Sequence, residues 1–388
     1  MKAKDSLLAQ NKNVDNGNCQ QPIAKPERKY YIDNLRSLCI LLLFPFHSAM
    51  IFVDFDESFY VHIKNCRLAS FFNLITYPWW MCGLFALAGI STVYALRYRS
   101  SKQYIKERFL KLFIPLLSAI VFIVPVQTYI ADKFFNGYQG NYFSHFKTFF
   151  SVTDFSGYDG HFTPGHTWFI LYLFVISLVF LPLMMWYKNK KRKLDGRKMT
   201  ILKILPLFIP IAIGAELPEI GGKGITEFAV CFLLGYFVLS SDEVQERLEK
   251  HCMPLAITWV GLMIFRCITY QLYEMKYISF ETPAVDITWF ITQNIFKWIG
   301  ILAIIGLAKR YLKFHNKVTQ NFAAASFPVY LIHQSAVVVV GYIVAIYLSG
   351  AGFQYIVIVI GSFVVTMLIY WACKQFCVTR FLLGIKKK

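Results

Sequence analysis

The sequence predicts an all-α, polytopic integral membrane protein with about ten transmembrane helices, and three observations carry that prediction. The 388-residue chain is 56% hydrophobic with a mean hydropathy of +0.48, a balance foreign to an ordinary water-soluble domain. Its apolar residues fall in repeated runs of about 20, the length of helix that crosses the hydrocarbon core of a bilayer. Its 40 lysines and arginines are also sorted by side. With the N-terminus inside, 31 fall in cytoplasmic segments, six in external ones and three (Arg36, Arg266 and Lys297) within spans. This is the positive-inside bias that orients membrane proteins. It accounts for the net charge of +18 without a nucleic-acid partner, and none is expected.

The first run, 35–53, follows a polar leader and contains Pro45, which frees a backbone carbonyl and permits a kink. Runs 71–95 and 112–131 flank the basic stretch Arg97, Arg99, Lys102, Lys106, Arg108 and Lys111, which marks a cytoplasmic connection. The run 166–187 opens at His166 and ends on the strongest basic block, 188–203. The fifth, 201–215, is short and carries Pro206 and Pro210, so a broken or re-entrant element is expected. Five further runs, 224–240, 254–273, 287–308, 322–348 and 355–373, complete the set by length and apolarity. Residues 1–29 are polar and lack the hydrophobic core of a signal peptide; they read as a disordered cytoplasmic tail. One membrane domain then covers 30–378, and a basic cytoplasmic tail covers 379–388. The expected location is the plasma (inner) membrane with both termini cytoplasmic. The nine cysteines contain no CxxC pair, so neither a disulfide framework nor a metal centre is expected.

Arg36 and His47 stand eleven residues apart in the first run. Eleven residues make almost three helical turns, so the two side chains share a face about 16 Å apart along the axis. Ionisable groups at such depth face a protein interior or an aqueous cavity rather than lipid. Imidazole as a group titrates near neutral pH, which makes His47 the candidate general base. His333, Arg266 and Lys297 lie comparably deep, and no aspartate or glutamate does. Fixed positive charge without a local carboxylate points to an anionic ligand, while snorkelling or carbonyl contacts are the structural alternative for Arg266 and Lys297. Tyr330 and His333 are three apart and neighbours on a helix surface, fit for an acceptor-side or supporting role. His166 and Trp168 open the fourth run at the outer boundary, at a cavity mouth or in the aromatic interface. The external segment 132–165 is dense in Phe and Tyr, which suits an interfacial belt or a stacking platform for an extended acceptor.

Four motifs in order give a resemblance. Tyr30-Tyr-Ile-Asp-Asn-Leu-Arg36 running into Pro45-Phe-His47 resembles an Arg-x10-His signature. Lys106-Glu-Arg108-Phe-Leu-Lys111 resembles a basic run before a third helix. His166-Thr-Trp168-Phe169 and Ser326-Phe-Pro-Val-Tyr330-Leu-Ile-His333-Gln334 match a His-x-Trp-Phe segment and a late Ser-x-Pro-x-Tyr-x-x-His run. Together they are similar to the acyltransferase-3 family of integral membrane acyltransferases, closest to its glucan biosynthesis branch. The chain departs from that branch at Trp80-Met81, at Phe85-Ala-Leu-Ala88-Gly89 and at Lys111, which replaces an arginine. The resemblance implies O-acyl transfer from a cytosolic acyl-coenzyme A, acetyl or succinyl, to a hydroxyl of an extracytoplasmic glycan. No bound cofactor is implied, since acyl-coenzyme A is a co-substrate; the other partners are the glycan and the lipid bilayer. His47 is expected as base or transient acyl carrier, with Arg36, Arg108 and Lys111 on the donor phosphates. Arg266 or Lys297 would pair the free carboxylate of a dicarboxylic donor. The rival reading is a transporter or flippase for an anionic solute that uses the same buried cations.

Overall fold

The computed structural model describes residues 28–55, 59–153, 155–191, 193–219 and 223–385. Among them the regular structure is helical and no β-strand occurs. In chain order the helices are α1 (Tyr30–Leu41), α2 (Leu43–Met50), α3 (Arg67–Arg97), α4 (Ser101–Phe135) and α5 (Tyr142–Phe149). Then come α6 (Gly165–Val179), α7 (Leu181–Asn189), α8 (Ile201–Ala215), α9 (Ile225–Leu239) and α10 (Asp242–Lys250). The chain ends with α11 (Cys252–Glu274), α12 (Pro283–Tyr311), α13 (Lys317–Tyr347), α14 (Ala351–Cys373) and α15 (Cys377–Leu382).

Among the described residues, six helices are long and apolar enough to cross a membrane: α3, α4, α11, α12, α13 and α14. Counting the bent pairs α6–α7 (47°) and α9–α10 (96°) as spans raises the number to eight. The expected ten is therefore approximate, and prolines explain the difference. Pro45 has no N–H to offer the carbonyl of Leu41, and the first expected span breaks at Leu42 into α1 and α2. The hydroxyl of Tyr355 on α14 donates to the Pro45 carbonyl at 3.2 Å, which holds α2 to a neighbour across the kink. Pro182 follows the bend between α6 and α7, and Pro206 and Pro210 interrupt α8, the short fifth element.

Buried share separates the inner helices from the lipid-facing ones. The apolar windows of α13 and α3 are 67% and 61% buried, whereas those of α11 and α14 are 17% buried. Without water to drive helices together, close packing does that work, and small residues permit it. Where α3 crosses α9, a Cβ on Gly89 would lie 2.0 Å from the Phe232 carbonyl oxygen. Reciprocally, a Cβ on Gly235 would lie 2.1 Å from that of Ala86. The two backbones touch there, and only glycine allows it.

α13 is the hub, packing against α1, α2, the Val124–Phe135 portion of α4, and α14. It therefore carries Tyr330 and His333 into the centre of the bundle, beside α2 and His47. Of the expected N-terminal tail, only Arg28 and Lys29 belong to the described residues. Lys29 joins Asp242 and Gln245 of α10, tying the entry of the chain to that helix. At the other end, α15 packs on the Ile114–Phe122 portion of α4.

Candidate active site

Three histidines from three separate parts of the chain meet inside the bundle. The ring centroids of His47 (α2) and His333 (α13) are 5.2 Å apart, and those of His333 and His166 (α6) are also 5.2 Å apart. Phe59 stacks on His47 at 5.8 Å, and Phe44 meets His333 edge-on at 6.0 Å. The three rings differ in what their nitrogens can do.

His166 is fully committed. It lies in the tight turn that begins α6, where Gly165 adopts φ +50° and an added Cβ would lie 3.3 Å from both Gln127 and Val124. Its Nε2–H donates to the Leu331 carbonyl at 2.9 Å, and its Nδ1 accepts from the Gln127 amide at 3.2 Å. The same Gln127 amide donates to Ser335 at 2.8 Å, while its carbonyl oxygen accepts from Gln334 at 3.1 Å. Ser335 donates onward to the Ile123 carbonyl at 2.9 Å. Tyr330 donates its hydroxyl to the backbone carbonyl of His166. The network welds α4, α6 and α13 together. At 5% exposure, His166 is a wall of the site, and its ring has no nitrogen left for a substrate.

His333 is half committed. Its Nδ1–H donates to the Tyr330 carbonyl at 2.6 Å, and its Nε2 is buried without a partner. Its side chain is wholly enclosed, at 0% exposure. Among the described residues His47 has no hydrogen-bond partner. Its Nδ1 is sealed in, but the residue is only partly buried, and Nε2 is not among the enclosed atoms. Of the three, His47 is the ring that can meet a reactant.

Toward the C-terminal end of α3, Arg36 and Arg108 converge on consecutive residues of that helix. Arg36 Nη2 donates to Ser91 at 2.6 Å, and Arg108 Nη2 donates to Thr92 at 3.2 Å. Both hydroxyls give their own protons to carbonyls one turn back, Leu87 and Ala88, and so are free to accept. Asp33 sits 2.7 Å from Arg28 but 3.5 Å from Arg36, which leaves the Arg36 guanidinium with donors to spare. The separation expected from the sequence can be read along unbroken α3. Phe46, next to His47, packs at 4.9 Å on Trp80, and Trp80 to Ser91 is eleven residues, about 16 Å of helix.

Other expected site residues lie elsewhere. Lys111 is exposed and bound to Glu107 at 2.5 Å, and Glu107 also holds Arg99 at 2.6 Å. It does not join the arginine pair. Trp168 packs on Phe228 at 5.2 Å and Tyr172 at 5.5 Å in the wall between α6 and α9. Lys297, 4% exposed, forms an ion pair with Glu227, which corrects the expectation of a deep cation lacking a carboxylate. Glu227 lies in the first turn of α9, which sits beside the middle of α12. Arg266, 2% exposed, lies under Trp289 (4.4 Å) and Phe296 (5.0 Å) and donates to the Leu74 carbonyl at 3.4 Å. Its Nε and Nη1 have no hydrogen-bond partner.

The assembled site is a reachable imidazole braced by two buried ones, with paired guanidiniums about 16 Å away along α3. A family model described as an acyltransferase domain matches residues 29–374, nearly the whole of this architecture. The chain belongs to the acyltransferase-3 family of membrane O-acyltransferases. Among curated proteins it is similar to glucans biosynthesis protein C of Escherichia coli strain K12, with 23% identity over 331 residues, 79% of this chain and 81% of that one. The same protein of Shigella dysenteriae serotype 1 is 24% identical over 331 residues, and that of Salmonella schwarzengrund 21% over 337, with the same shares covered. No solved structure matches.

Proposed function

We propose that this acyltransferase moves an acetyl or succinyl group from a cytosolic acyl-coenzyme A to a hydroxyl of an extracytoplasmic glycan. The observation that carries the reading is His47, the one ring of the trio both unbonded and reachable, set about 16 Å outward of two underneutralised arginines. Arg36 and Arg108 hold the phosphates of the donor, since oriented guanidiniums suit phosphate oxygens. His47 acts as general base. Its Nε2 takes the proton of the acceptor hydroxyl while that oxygen bonds to the thioester carbonyl carbon. The C–S bond then breaks, and the departing thiolate recovers the proton from Nε2–H. Glycan as acceptor rests on the names of the relatives, which are glucan biosynthesis proteins. An inner-membrane location with cytoplasmic termini rests on the charge asymmetry. Arg266, with two unpartnered nitrogens, remains the cation for a donor's free carboxylate; Lys297 already has Glu227.

The test is release of label from acetyl- and succinyl-coenzyme A by the purified protein in liposomes, with a mixed glycan pool. The expected result is labelled glycan with one donor preferred. Consumption of neither donor by folded protein would refute the assignment.

A further inference from the structure

His47 can serve as a base through Nε2 only if its own proton sits on Nδ1, and nothing so far described puts it there. The surroundings hold one complementary group. His333 spends its Nδ1–H on the Tyr330 carbonyl at 2.6 Å, so its Nε2 in the neutral ring is a bare lone pair, enclosed and unpartnered. The ring beside it, 5.2 Å away between centroids, is His47, whose enclosed and unpartnered atom is Nδ1. His166 cannot fill either vacancy, because both its nitrogens are bonded. A buried donor and a buried acceptor left unmade in adjacent rings are each unfavourable, and a single hydrogen bond satisfies both.

We infer that His333 is a positioning residue that accepts the Nδ1–H of His47, fixing the tautomer in which His47 Nε2 is free to take a proton. The relay runs from the Tyr330 carbonyl through His333 to His47 and stops there. His333 touches neither donor nor acceptor. A histidine plays the part that a carboxylate plays in hydroxyl-activating triads, where the third member orients the imidazole and selects its tautomer. The neutral partner also suits a site whose enclosed side, among the described contacts of the trio, holds no acidic side chain.

This inference rests on the reading of His47 as the base, and its test separates the two. Protein labelled with 15N-histidine in lipid bilayers reports which nitrogen of His47 carries hydrogen, the His47 signals being those lost in His47→Gln. The wild type is expected to show Nδ1–H alone. His333→Leu should lose that preference and drop kcat about a hundredfold, the scale of general-base catalysis, with the donor KM within about threefold. His333→Gln places a carbonyl oxygen near the former Nε2 and should restore both the tautomer and most of kcat. A merely structural His333 would give no such ordered rescue. Hydrogen on Nε2 of wild-type His47, or an unchanged kcat in His333→Leu, overturns the inference. Full transfer by His47→Gln would instead overturn the base reading, whatever the spectrum shows.

Discussion

His47, Arg36 and Lys297 are all ionisable groups inside apolar helices, yet their neighbours give them different expected phenotypes. Replacing His47 with alanine removes the reachable base and should lower kcat by about 10² to 10⁴ with little change in thermal stability. Arg108→Ala should raise the donor KM because it removes one guanidinium from the pair on Ser91 and Thr92. Lys111→Ala should not, because Lys111 is exposed and engaged with Glu107; equal effects in the two kinetic measurements would contradict the placement. Lys297→Ala leaves the Glu227 carboxylate buried without its cation and should cost about 3–5 kcal/mol. Lys297→Met with Glu227→Leu should recover most of that in a denaturation series. The sequence exposes His47, Arg36, His166, Tyr330 and His333 because polar groups stand out in an apolar run. Gln127, Ser91, Thr92 and Glu227 escaped because their value lies in tertiary partners. Gln127 binds residues 39 and more positions away, and Glu227 meets a lysine 70 positions away.

At the scale of elements, the helices that support the site depend on close crossings and on a braced outer segment. Gly89→Val would drive a side chain into the Phe232 carbonyl and should cost at least the 1–3 kcal/mol typical of overpacking, visible as earlier thermal unfolding. In the outer segment, α5 presents His145 to Asp132, 3.5 Å away, and to Thr128 at 3.1 Å. Burial pushes the His145 imidazole below its ordinary value of 6.5, with Asp132 opposing. A depressed folded value means that the unfolded segment takes the proton first. The stabilisation is thus present above pH 6.5 and is lost as pH falls through the lower folded value. Protease resistance of the outer segment should decline in that window, and His145→Gln should flatten the dependence. Apolar periodicity and prolines made most of these elements legible. The crossing of α3 and α9 was not, because a glycine in a membrane helix does not say what it faces.

Across the whole molecule, the candidate residues form two groups spaced along α3. The paired arginines meet α3 near the basic stretch 97–111, His47 lies about three helical turns away, and Phe59 leads from it to Tyr60 and Tyr158 of the aromatic segment. The four ordered motifs disclosed the family. The number of spans was less legible, since a split first helix, a short fifth and two bent pairs blur what counts as a crossing. The most direct test of the account is vectorial transfer in oriented proteoliposomes. Labelled acyl-coenzyme A is supplied on the face bearing the basic segment 188–203 and glycan on the opposite face. The account predicts labelled glycan across the membrane with wild-type protein and almost none with folded His47→Ala. Equal labelling by the two proteins, or transfer only when donor and glycan share a compartment, would contradict it.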